Sequence, residues 1–213
     1  MITLTRNSCV LLMGDSINDR ASPYQALNGV RYAIDSNYMQ PSNGSFRRPT
    51  FVITAASGAL ISTVAAAVAG QLALNRFTHL FVDVGVNDAQ TGVALGTSQS
   101  GCTTILNAAA AASCPVLWVG PRVYGEKWPT GQNPADTALD ALDAALNVLV
   151  SANANNVYVP TRASLLALEP TLNLPAPGVT SGILTWTAAQ GIHPHAGFSK
   201  VTTPLVMQQI VCA

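Results

Sequence analysis

The stretch Cys9-Val10-Leu11-Leu12-Met13-Gly14-Asp15-Ser16 joins an unbroken apolar run to a glycine, a carboxylate and a hydroxyl. A strand with one wet face would alternate apolar and polar residues. An uninterrupted run of this length is expected of a strand covered on both faces. Gly14 permits a sharp turn at its end, and Ser16 follows on that turn. Four more runs of the same kind follow: Phe51–Thr54, Leu80–Val84, Val116–Val119 and Val157–Val159. Helical patterns separate them. Ser62–Arg76 is alanine-rich, and Thr103–Ala112 ends in five consecutive alanines. Pro134–Ala152 has Asn133 as a natural N-cap, proline at its first position and a stripe of Leu139, Leu142, Leu146 and Leu149. Further helices are expected over Ala21–Ile34 and Lys200–Val211. Strands alternating with helices predict an α/β chain in three layers, with a five-stranded parallel sheet between helices. In such a sheet the ligand crevice lies beyond the carboxyl ends of the strands. The loops that matter for function are then the segments after each strand: Gly14 onward, Ala55–Gly58, Gly85–Gly101, Pro121–Asn133 and Pro160–Pro194.

The 213 residues suit one domain spanning 1–213. Hydrophobic residues make up 49%, enough for a sizeable core. Ten basic and ten acidic residues cancel, so no electrostatic footprint for nucleic acid or an anionic membrane is present. Charged residues are only 9% of the chain, against roughly 25% in ordinary soluble domains. The surface is expected to be built of Ser, Thr, Asn, Gln and Gly, or partly hidden in a homo-oligomer. That composition favours a secreted or virion-associated protein over a cytoplasmic one. The most apolar stretch, Ala55–Leu74, is interrupted by Ser57, Gly58, Ser62, Gly70 and Gln71, and reads as a packed helix rather than a membrane span. Cys9, Cys102, Cys114 and Cys212 show neither CxxC pairing nor metal-ligand spacing, so four free thiols are expected. Asp136, Asp140 and Asp143 share one face of their helix and read as a solvated acidic stripe. Arg47-Arg48 reads as solvated surface. No metal and no cofactor is indicated.

Four short blocks carry the chemistry: Met13-Gly14-Asp15-Ser16-Ile17, Ile53-Thr54-Ala55-Ala56-Ser57-Gly58, Gly85-Val86-Asn87-Asp88 and Gly191-Ile192-His193-Pro194. Each is weak alone. Gly-Asp-Ser also suits a helix N-cap, Ser57 suits the cap of the helix that follows, Asn-Asp suits a turn, and a loop histidine is commonly structural. Their joint order and spacing resemble the SGNH hydrolases, also called GDSL-type esterases and lipases, over nearly the whole chain.

The resemblance implies a flavodoxin-like SGNH hydrolase fold and a serine esterase. Ser16 would be the nucleophile and His193 its base. The Ser16 N–H, the Gly58 N–H and the Asn87 side-chain amide would form the oxyanion hole. Asp15 and Asp88 would stabilise their turns. The family's Asp, three residues before the His, is here Gln190. A glutamine carbonyl can hold the imidazole tautomer but supplies no charge to the imidazolium. Three arrangements answer to this: a Ser16–His193 dyad oriented by Gln190 or a backbone carbonyl, a carboxylate from elsewhere such as Glu169 or Asp19, or a weakened scaffold kept as a carbohydrate-binding or structural module. Tyr124, Trp128 and Trp186 sit where they would overhang the crevice, and no long apolar lid is evident. The expected substrate is a small-molecule or carbohydrate ester with a short acyl group, acetyl above all. A flavodoxin-like nucleotide binder is disfavoured, because no GxGxxG follows the first strand.

Overall fold

The computed structural model describes residues 1–15, 49–74, 76–121, 134–168 and 203–213. In chain order the elements are β1 (Ile2–Leu4), β2 (Cys9–Gly14), β3 (Thr50–Ala55), α1 (Ile61–Leu72), β4 (His79–Asp83), α2 (Val86–Gln90), α3 (Leu95–Ala111), β5 (Val116–Val119), α4 (Pro134–Ser151), β6 (Val157–Val159), α5 (Thr161–Leu168) and β7 (Ile210–Cys212). Five strands form a wholly parallel sheet in the order β3-β2-β4-β5-β6. The chain steps outward from β2 to β3, then crosses back to β4 on the other side of β2. The strand order thus reverses between β2 and β4, and in open parallel sheets the ligand crevice lies beyond the carboxyl ends of the strands at such a switch point.

The apolar runs of β2, β4, β5 and β6 lack alternation because both faces of the sheet are dry there, while β3 at the edge is only partly buried. Successive residues of β2 feed different cores. Leu11 and Met13 pack with Ile61, Val64, Cys102, Ile105, Leu142 and Leu146 of the helices. Val10 and Leu12 pack with Ile2, Leu4, Val206 and Ile210 on the opposite face. On β4, Leu80 and Val82 likewise part from Phe81, and on β5 Val116 and Trp118 part from Leu117 and Val119. Each such aliphatic side chain contributes about 1.5–3 kcal/mol by leaving water. Of the α4 stripe, Leu139, Leu142 and Leu146 are fully buried.

Four expectations are corrected. The segment Gly85–Gly101 is not a loop, for α2 lies within it and α3 begins at Leu95. The buried face at the start of α3 is Ser98, Gly101 and Cys102. These small residues carry no hydrophobic period. They are small because α1 lies close: a Cβ on Gly101 would come within 2.9 Å of Ile61 Cγ2. The expected helix Lys200–Val211 is helical among the described residues only over 203–207. Residues Ile210–Cys212 instead pair in parallel with β1, Ile2 against Ile210 and Leu4 against Cys212. Bonds from the Ile2 N–H to the Gln209 carbonyl (2.7 Å) and from the Ala213 N–H to the Leu4 carbonyl (2.9 Å) close this small sheet. Three-residue strands joined across the whole chain have no local period to read. Helix α5, likewise, occupies the start of the expected Pro160–Pro194 loop.

Asp140 is exposed, as expected of a solvated acidic stripe, while Asp143 is partly buried and bonded within the fold, which is the fourth correction. Asp140 accepts a 2.7 Å bond from Nε of Arg162, whose side chain is only 1% exposed. Asp143 accepts a 2.5 Å bond from the Tyr158 hydroxyl. Burial raises the pKa of Asp143, opposed by the Tyr158 hydroxyl and the Arg162 charge. Gly120, just past β5, leaves room for this pair, since a Cβ there would stand 2.6 Å from the Tyr158 hydroxyl oxygen and 2.7 Å from Asp143 Oδ1. The side chain of Asp136 and the expected helix Ala21–Ile34 lie outside the described residues, as does Arg47-Arg48. Cys9, Cys102 and Cys114 are free thiols, and burial pushes that of Cys102 up to about 12.

Candidate active site

The register of the sheet brings three strand ends to one level. Gly14 stands opposite Ala55 on β3 and opposite Asp83 on β4. The chain leaves β2 held on both sides: the Asp15 N–H donates to the Asp83 carbonyl at 3.3 Å, and the Ala56 N–H donates to the Gly14 carbonyl at 3.2 Å. Asp15 is buried at this junction, one peptide bond before Ser16.

From β3 the chain turns through Ser57 and Gly58 into α1. Gly58 has φ of +74°, the left-handed region where a β-carbon is disfavoured. Nothing stands within 4 Å of where that carbon would lie, so the glycine is required by backbone conformation and not by crowding. Gly58 is exposed, and no described residue accepts from its N–H. The cap of α1 falls at Leu60, whose own N–H donates to the Thr63 hydroxyl at 3.3 Å. Ser57 is therefore not the helix cap, which frees the 57–58 turn from a purely local role.

From β4 the chain passes Gly85, at φ +130°, into the single turn α2, which buries Asn87 and Asp88. Asn87 Nδ2 donates to the Ala59 carbonyl at 3.1 Å and, more weakly, to Asp15 Oδ2 at 3.4 Å. Two oxygen acceptors fix which end of the carboxamide points to the strand ends. A flipped amide would set oxygen against oxygen. One amide hydrogen is thus anchored, and the other is held by a long bond that a better acceptor can replace. The turn of β3, the turn of β4 and the end of β2 meet through this one side chain.

Asp88 does more than stabilise its turn. Oδ2 accepts from the Ile61 N–H at 3.0 Å, and Oδ1 accepts from the Ser98 hydroxyl at 2.9 Å. Burial raises its pKa, and the two hydrogen bonds oppose the rise. Nothing in the local sequence announces this reach, because its partners lie on α1 and α3. Among the described residues no cluster of His, Cys, Asp and Glu is placed to hold a metal ion. His79 is buried at the opposite end of β4, bonded through Nδ1 to the Thr78 hydroxyl at 2.8 Å. Burial lowers its pKa.

Of the residues expected at the site, Gly58 and Asn87 are brought to one edge. Ser16, His193, Gln190, Tyr124, Trp128 and Trp186 lie outside the described residues, as do the alternative acids Asp19 and Glu169.

The protein has the SGNH hydrolase fold, as its likeness to solved structures shows. It is similar to an α/β hydrolase enzyme from the metagenome of Lake Arreo in Spain, at 12% identity and a TM-score of 0.73, covering 94% of each chain. It is similar also to a lipase/acylhydrolase from Enterococcus faecalis, at 14% identity and a TM-score of 0.70, covering 95% of this chain and 94% of the other. A third similar structure is an acetylxylan esterase from Geobacillus stearothermophilus, at 16% identity and a TM-score of 0.69, covering 95% of this chain and 93% of the other. No family model matches the sequence, and no curated protein does.

Proposed function

We propose that the protein is a serine esterase that cleaves short-chain esters, acetyl esters of carbohydrates foremost. Ser16 attacks the ester carbonyl, and His193 accepts its proton and returns it to the leaving alcohol. The charge that develops on the carbonyl oxygen is met by the Ser16 N–H, the Gly58 N–H and Asn87 Nδ2. The observation that carries the reading is the pairing at the sheet edge of an exposed Gly58 amide without a described acceptor and an Asn87 amide with one loosely held hydrogen. Donors held in place before the reaction are what stabilise an oxyanion. The similar structures support it: one is an acetylxylan esterase, and a serine-to-alanine form of that enzyme is described as a catalytic mutant.

The test is labelling with a fluorophosphonate followed by peptide mapping, beside turnover of p-nitrophenyl acetate and longer-chain homologues. A covalent adduct on Ser16, with turnover falling as the acyl chain lengthens, is the expected result. A fully folded chain that takes no label and turns over no ester would end the esterase reading. It would leave the second reading, a scaffold that binds carbohydrate without turnover, which the neutral Gln190 in place of an acid favours.

The same residue gives a further expectation. Gln190→Asp restores a charge beside the imidazolium. A charged hydrogen bond exceeds a neutral one by about 1 kcal/mol, so kcat should rise roughly fivefold or more. An unchanged rate would show that another carboxylate already serves His193.

A further inference from the structure

We propose that Asp88 is a positioning residue that sets the separation of the two oxyanion donors carried by different loops, Gly58 and Asn87. This rests on the esterase reading above and deepens it. Two adjacent residues of α2 grip the β3–α1 connection at two points. Asn87 Nδ2 holds the Ala59 carbonyl at 3.1 Å, and Asp88 Oδ2 holds the Ile61 N–H at 3.0 Å. Gly58 is the residue immediately before this gripped segment, so its N–H is placed relative to Asn87 by both contacts. The Ser98 hydroxyl, at 2.9 Å from Oδ1, ties the carboxylate to α3 and so fixes its rotamer. Gly101, one turn further along α3, allows the close approach of α1 that the arrangement requires.

The two hydrogen bonds hold a carboxylate that burial disfavours in its ionised form. Asp88 is 1% exposed, and burial raises its pKa. A folded-state pKa above the unfolded value means that ionised Asp88 costs stability, and that this cost grows as pH rises through the folded pKa. What the carboxylate supplies is acceptance from two directions at once. One oxygen caps an N–H of the first turn of α1, and the other takes a hydroxyl proton from α3. A misplacement of about 1 Å among reacting groups costs ~10²-fold in rate, so a brace of this kind acts on kcat without touching substrate.

Three variants and two readouts test it. Asp88→Ala removes both grips. Its kcat on p-nitrophenyl acetate should fall by ~10²-fold with KM changed little, since donor placement matters most in the transition state. Ser98→Ala leaves the Ile61 bond and should give a smaller fall of the same kind. Asp88→Asn can still accept from Ile61 with its carbonyl and donate to Ser98 with its amide. It should recover most of the loss, which a requirement for charge would not allow. Independently of turnover, the backbone amide resonances of Gly58 and Ile61 should move in Asp88→Ala and stay near their native positions in Asp88→Asn. Should Asp88→Ala fail to fold, Ser98→Ala and Asp88→Asn still decide the matter. Native kcat in Asp88→Ala or in Ser98→Ala overturns the proposal, as does an Asp88→Asn no better than Asp88→Ala. Moved resonances in Asp88→Ala, where the native chain hydrolyses no ester, would place the failure in the esterase reading rather than in the brace.

Discussion

Asn87→Ala is expected to lower kcat for ester hydrolysis by ~10²–10³-fold, about 2.7–4 kcal/mol of transition-state stabilisation, with KM nearly unchanged. The carboxamide nitrogen is the one side-chain donor among the three proposed oxyanion contacts. Its anchored hydrogen points at the Ala59 carbonyl, and its second is held at 3.4 Å by Asp15. The ground-state carbonyl of an ester is a weak acceptor. The oxyanion is a strong one, so the second hydrogen shifts to it mainly in the transition state, which is why kcat carries the effect. Asn87→Asp should be worse still. It keeps the shape but sets an acceptor against the Ala59 carbonyl, against Asp15 and against the reacting oxygen. Urea midpoints measured beside the kinetics separate the chemistry from a loss of fold. A well-folded Asn87→Ala enzyme with native kcat would remove Asn87 from the oxyanion hole.

The second large effect lies in the core rather than the site. Arg162→Ala should destabilise the fold by about 3 kcal/mol, read as a lower urea midpoint, by removing a buried cation and leaving a cavity. The guanidinium is fully buried, while its partner Asp140 is 52% exposed on that side chain. Water can therefore take over much of what Asp140 loses. Asp143 is less fortunate, because it is partly buried and owes some of its ionised state to the Arg162 charge. In the variant the Asp143 pKa, already raised, rises further. A folded-state pKa above the unfolded value makes the penalty largest above the folded pKa and smaller below it. Part of the lost stability should therefore return on moving from neutral to mildly acidic pH. Arg162→Met, which keeps much of the stem, should lose about half as much. An unchanged midpoint in Arg162→Ala would mean that the buried charge contributes nothing net.

The strands were legible because a sheet covered on both faces writes itself as unbroken apolar runs. Val116–Val119 and Val157–Val159 match the observed β5 and β6. The runs at β2 and β3 are short by a residue or two at their ends, and that at β4 is shifted by one. The α4 helix was equally plain, from its proline start and leucine stripe. The start of α3 was not, since a face of Ser98, Gly101 and Cys102 has no hydrophobic period. The pairing of β1 with β7 joins the two ends of the chain, and no window of local sequence contains it. Gly58 and Asn87 could be expected at one sheet edge from where strand ends must fall, while their proposed role came from the resemblance to SGNH hydrolases.

Spacing and residue type along the chain were enough for the parallel sheet and for which loops leave its carboxyl edge. Those properties are local, or follow from topology. Which oxygen caps which N–H was decided only by the folded chain. Asp88 reaching Ile61, Asn87 reaching Ala59 and Arg162 reaching Asp140 are contacts between residues 22 to 28 positions apart. A hydrogen bond acts over about 3 Å and leaves no periodic trace in a sequence. Such contacts exist only once packing has brought α1, α3 and α4 against the sheet.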